Sequence, residues 1–248
     1  MANAIASYGE PGRYAVAVTD LQTGQTVGVN QDEELRSGCI INLFGIVRAV
    51  YGVQEGQFSL DQVDGLIRQT IWASDASTAH ELYRIIGGGD TIAGLREVAS
   101  MIAGQLGVPE IVLDHPPAYP HESLGISPDN MVTAAAMNAA LSALFDGTLL
   151  TAQNRDYLLE AMTRVKPGLN YLTASLPAVA TVSHKNGFFW DPSGWVDNDT
   201  AIVRFEHGGA TYAYAITFIS TDVPAKYADI PLGQELVRLA WEYFTAAY

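Results

Sequence analysis

Cys39 is the only cysteine in the chain and stands in RSGCIINLFGIV, where an apolar helix begins. A free thiol there has two readings. It is a small apolar filler, as free cysteines often are, or a backbone turn presents it for nucleophilic or redox chemistry. An unperturbed thiol has a pKa of about 8.5, so a few per cent is thiolate at neutral pH. A helix N-terminus adds about 0.3–1 kcal/mol in favour of an anion. Asn42 follows three residues on, one helical turn away, which puts both side chains on one face. Ser74–Asp75 stands before an apolar-periodic stretch and reads as a helix cap. Lys185, in VSHKNGFF, reads as a strand-end charge or as a cation turned toward a site.

Other chemistry is narrowed by what the chain carries. One cysteine excludes an intramolecular disulfide and a cysteine-based zinc site. The histidines at 80, 115, 121, 184 and 207 show no metal-ligand spacing, and no cofactor is expected. Asp197 and Asp199 read as turn residues, and Glu122 as a solvated loop carboxylate. Trp190 and Trp195 read as a cleft rim or as core. Net charge is −14, with 27 acidic against 13 basic residues and no Lys/Arg cluster. Such a surface repels phosphate backbones and anionic membranes, so neither nucleic acid nor membrane insertion is expected. No stretch reaches the roughly 18–20 apolar residues of a membrane span. The N-terminus lacks a charged segment followed by an apolar one. It reads as a cytosolic start or as an exported chain whose leader has been removed.

The elements that must hold these residues are legible. RYAVAVT (13–19), DLQTGQ and TVGVN form a hairpin signature with Gly24 in the turn. A helix from about 40 to 53 is apolar on nearly every face, as buried helices are. From about 62 to 163 the pattern is mostly helical, interrupted by the Pro-rich loop PEIVLDHPPAYPHESLGISPDN. VATVS (179–183) returns to strand character. A second hairpin turns at Gly208–Gly209, and an amphipathic helix ends the chain. Strands at both ends with helices between predict an α+β fold: one antiparallel sheet from N- and C-terminal segments, packed against terminal helices. The expected division is one unit, 1–248, with a sheet subdomain of 13–58 plus 178–248 and a helical subdomain of 59–177.

Four stretches occur in order: CIINLF (39–44), SDASTAHEL (74–82), DNMVTAAAMNAALSALFDGTLLTAQNRDYLLEAM (129–162) and LPAVATVSHKNGF (176–188). Together they resemble the serine β-lactamase and penicillin-binding-protein superfamily, class A relatives above all. The resemblance runs from about residue 13 to the end. It puts Cys39 at the nucleophile position, Asn42 at the general-base position, Ser74 at that of a proton relay and Lys185 at that of a supporting cation. Asp75, Asn186, Gly187 and Phe188 fall at substrate-binding positions. The implied ligand is a small molecule or peptide with a carboxylate or amide, opened through an acyl-enzyme. The departures are specific. Cys39 replaces the family's serine, Asn42 its lysine, Ala76 its asparagine and Asn186 its threonine or serine. Glu122, in the loop at 114–130, is a candidate stand-in for the class A deacylating glutamate. The second motif follows Cys39 by only 35 positions, which implies a shortened wall and a wider cleft. Serine with asparagine would lack a base, whereas cysteine needs less help. Three functions stay open: a degenerate site inactive or very weak on ordinary β-lactams, a cysteine-nucleophile hydrolase, amidase or acyltransferase, and a redox thiol.

Overall fold

The computed structural model describes residues 1–118, 130–166 and 175–248, so Glu122 lies outside the described residues. A short helix α1 (Ala2–Ala6) precedes β1 (Arg13–Asp20), β2 (Thr26–Val29) and β3 (Leu35–Arg36). A 3₁₀ turn, Gly38–Ile41, runs directly into α2 (Asn42–Gln54). Then come α3 (Leu60–Ala73), α4 (Ala76–Ile86) and α5 (Thr91–Ser100), followed by a π-turn, Met101–Gln105. β4 (Met131–Val132), α6 (Ala134–Phe145) and α7 (Ala152–Ala161) lead to β5 (Thr181–Asp191), β6 (Gly194–His207), β7 (Ala210–Thr221) and the closing helix α8 (Ile230–Ala247).

The main sheet is antiparallel in the order β2-β1-β7-β6-β5. The N-terminal hairpin thus docks on the C-terminal meander through β1 and β7, and β5 forms one edge. Successive side chains of a strand point to opposite faces. Ala15, Ala17, Ile202, Ala215 and Ile219 face α2 and the other central helices. Val16, Val18, Val203, Ile216 and Phe218 face Leu236, Val237 and Phe244 of α8. Helix α2 is buried along most of its length, from Leu43 to Val50, as a helix apolar on every face must be.

Two expectations change. The helix expected from about residue 40 starts as a 3₁₀ turn, and only Asn42 begins the α-helix. Asp197 and Asp199 are strand residues, not turn residues. The turn closes upstream, where Asp191 pairs with Gly194, so both aspartates fall inside β6 and are buried.

Candidate active site

The 3₁₀ turn explains how Cys39 is presented. Gly38 enters it at φ 53°, a left-handed conformation that a side chain would strain. Residues i and i+3 eclipse in a 3₁₀ turn, so Cys39 stands over Asn42. Cys39 is partly exposed, whereas Asn42 is 2% exposed and its Nδ2 makes no hydrogen bond.

Strand β5 lies against this turn. A Cβ on Gly187 would sit 2.3 Å from the Cys39 amide nitrogen and 2.6 Å from that of Ile40. Only glycine permits that approach. The segment before Cys39 is pinned by Asn198 of β6. Its Nδ2 donates to the carbonyls of Arg36 at 2.8 Å and Ser37 at 2.9 Å, while its Oδ1 accepts from Ser220 N–H at 2.9 Å.

Ser74 ends α3 in the left-handed region, at φ 54° and ψ 38°, which is unfavourable for a residue with a side chain. That backbone delivers its hydroxyl to β5. Ser74 Oγ donates to the Asn186 carbonyl at 2.9 Å and accepts from Lys185 Nζ. Lys185 Nζ also donates to the Asn186 carbonyl. The Lys185 side chain is fully buried. Burial pulls its pKa from the usual 10.5 to about 8, against the upward pull of Cys39 and then Asp199. Lys185 shares its face of β5 with Gly187, which packs on the Cys39 turn. One cluster therefore gathers Cys39, Asn42, Ser74, Lys185 and Gly187 from the turn, α2, the end of α3 and β5.

Three residues read as substrate-binding stand apart from it. Asp75 caps α4, accepting from the N–H groups of Ser77 at 2.8 Å and Thr78 at 3.0 Å. The Ser77 hydroxyl, chiefly, holds its carboxyl below the ordinary range. Asn186 and Phe188 alternate with Lys185 and Gly187 along β5, so they point to the opposite face of the sheet. Asn186 is fully buried with neither amide atom hydrogen-bonded. Phe188 meets Tyr227 edge-on at 5.9 Å. On that face His184 Nδ1 lies 3.0 Å from Asp199 Oδ1. Trp190 is exposed and Trp195 packs over the sheet's second core.

Beside Cys39 lies a pocket of about 210 Å³. Cys39, Asn42 and Ala76 line one side; His115, Pro117, Ala118 and Asn130 line the other; Phe189 closes the rim. Asn130 holds that far wall, its Oδ1 accepting from Asp114 N–H at 2.8 Å and its Nδ2 donating to the His115 carbonyl at 3.0 Å. None of the described lining residues carries a carboxyl group, and the described residues hold no group of three or more potential metal ligands. No helix among them is long and apolar enough to cross a membrane. Sequence reasoning missed Asn198, Asn130 and Phe189. Only the alternation of β5 and β6 would have signalled Phe189 and Asn198, and nothing local marks Asn130.

The beta-lactamase enzyme family matches this chain over residues 1–66 and 62–244. No curated protein matches it by sequence. Among solved structures, it is similar to a mutant of the class A beta-lactamase of the last common ancestor of Gram-negative bacteria, with a TM-score of 0.82 and 22% identity over 100% of this chain and 98% of that one. The chromosome-encoded beta-lactamase of Vibrio parahaemolyticus gives 0.79 and 17%, over 98% and 97%. A beta-lactamase from Chitinophaga pinensis DSM 2588 gives 0.80 and 20%, over the same shares. Such identities establish the fold, and with the family match over nearly the whole length they make this chain a member of the beta-lactamase enzyme family.

Proposed function

We propose that this protein is a β-lactamase-fold acyl-transfer protein whose serine-type site has become a thiol site. Cys39 attacks the carbonyl of an amide, ester or lactam in a small molecule or peptide, and penicillin-type β-lactams are weak substrates or none. The observation that carries this reading is a partly exposed Cys39 at the pocket, beside an intact Ser74–Lys185 hydrogen bond. A free cysteine used only for packing is usually fully buried, which Cys39 is not.

In the first step the Cys39 Sγ–carbon bond forms, and the carbon–nitrogen or carbon–oxygen bond breaks. The leaving atom receives the proton given up by the thiol, relayed across Ser74 with Lys185 holding the relay electropositive. Water then cleaves the thioester, releasing the acid and restoring the thiol. With no carboxylate among the described lining residues, this second half is slow and the acyl-protein accumulates.

A second reading, a non-catalytic binding scaffold, is favoured by the exchange of lysine for Asn42 and of asparagine for Ala76. Intact-mass measurement after incubation with a penicillin and, separately, an activated thioester distinguishes them. The thiol reading expects a stable adduct on Cys39 with the thioester, little with the penicillin, and neither in Cys39→Ala. No adduct, with the thiol also silent to iodoacetamide, would leave the scaffold.

A further inference from the structure

Asn42 holds the general-base position without the chemistry of a base. An amide nitrogen takes up no proton near neutral pH, and Nδ2 can only donate. The residue lines the pocket together with Cys39. Its backbone N–H closes the 3₁₀ turn on the Cys39 carbonyl, which stacks the two side chains on one edge of the turn. Asn42 is buried, and among the described residues Nδ2 has no acceptor, Cys39 Sγ included.

Other buried asparagines of this protein use their amides to hold the fold. Asn130 clamps the wall at Asp114 and His115, and Asn198 pins the segment before Cys39. Asn138 donates to Thr19 Oγ1 at 3.1 Å and accepts from Thr217 Oγ1 at 2.8 Å. Of the buried asparagines at 42, 130, 138, 186 and 198, only Asn42 and Asn186 leave Nδ2 without an acceptor. Asn186 points to the other face of the sheet, so Asn42 alone brings such a donor to the pocket. A buried donor with no acceptor is unfavourable, and a leucine of the same branched shape would fill the place without that cost. The residue therefore makes sense with an acceptor that the ligand supplies.

We propose that Asn42 is a catalytic residue whose Nδ2 receives the carbonyl oxygen of the acyl donor at Cys39. The proposal rests on Cys39 being the nucleophile. As Sγ bonds to the carbonyl carbon, the C=O π pair moves onto oxygen. That oxygen accepts the Nδ2 hydrogen bond without taking its proton, and the pair returns as the leaving group departs with the thiol proton. A donor fixed beforehand, out of water, binds the charged oxygen more strongly than the ground-state carbonyl. Two reactions of the same thiol isolate this role. S-phenyl thioacetate acylates Cys39 through a charged oxygen, with thiophenol leaving. Iodoacetamide alkylates it by displacing iodide at a CH₂ carbon, and no charged oxygen forms. Intact mass gives both rates. Asn42→Leu should slow acylation about 100-fold and leave alkylation within about twofold, the pattern of a lost oxyanion donor. Asn42→Ser, which restores a donor on a shorter arm, should recover part of the loss. Equal slowing of both reactions in the two variants would make Asn42 a residue that places or ionises the thiol. Undiminished acylation in Asn42→Leu would make it filler. Either outcome overturns the proposal and leaves Cys39 as the nucleophile. Alkylation without any acylation in the unaltered protein overturns the Cys39 reading and the proposal together.

Discussion

At the scale of single residues, Lys185 is an ammonium taken fully out of water. Its folded pKa of about 8 lies below the usual 10.5 because the ammonium is buried. Between those values the unfolded chain still holds a proton that the folded chain has lost. Stability from this group is therefore fully present above about pH 10.5 and is lost as pH falls through about 8. The whole window is worth on the order of 3 kcal/mol. Lys185→Met, of similar length and uncharged, should remove that slope. Urea midpoints at pH 7 and 9.5 measure it as the difference between parent and variant; an identical slope in both would show that Lys185 is not desolvated. Cys39 and Asn42 form the complementary case. The lysine that the family places after its nucleophile is missing, yet an amide with an unpartnered Nδ2 fills the position. A donor there suits a bound carbonyl oxygen better than it suits proton abstraction.

At the scale of elements, the site depends on the contact between β5 and the 3₁₀ turn. A side chain on Gly187 would meet backbone nitrogen and carbon of Cys39, not the movable end of a side chain. Gly187→Ala must push strand and turn apart, at about 1–3 kcal/mol, and should slow iodoacetamide labelling of Cys39 at least ~10-fold, since misplacement of about an ångström has effects of that order or more. Undiminished labelling in a stable variant would mean that the contact does not position the thiol. The same strand shows what a sequence can and cannot disclose. The order of motifs brought Cys39, Ser74 and Lys185 into one cluster, because residue type and order carry a fold's functional positions. Motif membership did not reveal that Asn186 and Phe188 point away from that cluster, since alternation reverses direction at each residue. Nor did it show that Asp197, Asn198 and Asp199 form a strand. DND resembles a turn in isolation, and only pairing with β5 and β7 overrides it. The terminal hairpins and closing helix, by contrast, were legible from alternation and glycine placement.

At the scale of the whole molecule, the two faces of the sheet carry different electrostatic loads. On the α8 side, Asp229 stands before the helix, buried beside Asp197 and accepting a hydrogen bond from Ser220. Burial first, then the neighbouring Asp197 charge, raises its pKa from the usual 3.8 to about 7. The sign is opposite to that of Lys185. This contribution is fully present below about pH 3.8 and is lost as pH rises through about 7. Asp229→Asn keeps an acceptor for Ser220 and removes the charge. It should raise stability at pH 8 by roughly 1–3 kcal/mol, or about 2–4 °C in Tm per kcal/mol for a chain of this size, with little gain at pH 4. Equal Tm gains at both pH values would show that the acid pair is not the cause. On the opposite face, a line of hydrogen bonds crosses the sheet from Thr26 through Thr19, Asn138 and Thr217 to Thr200. It ties β2, β1, α6, β7 and β6 together behind the site, and a one-residue strand slip would break every link.

The burial of Lys185 also makes the molecule its own timer. The chain has three lysines; Lys166 and Lys226 are exposed and Lys185 is sealed beneath Ser74. An amine-acylating reagent will therefore tag two lysine side chains at once and the third only when β5 lifts from the ends of α3 and α4. Peptide-level mass spectrometry of that late tag measures how often the cleft opens, with no substrate required. A third tag arriving with the first two would mean that the cleft is never closed.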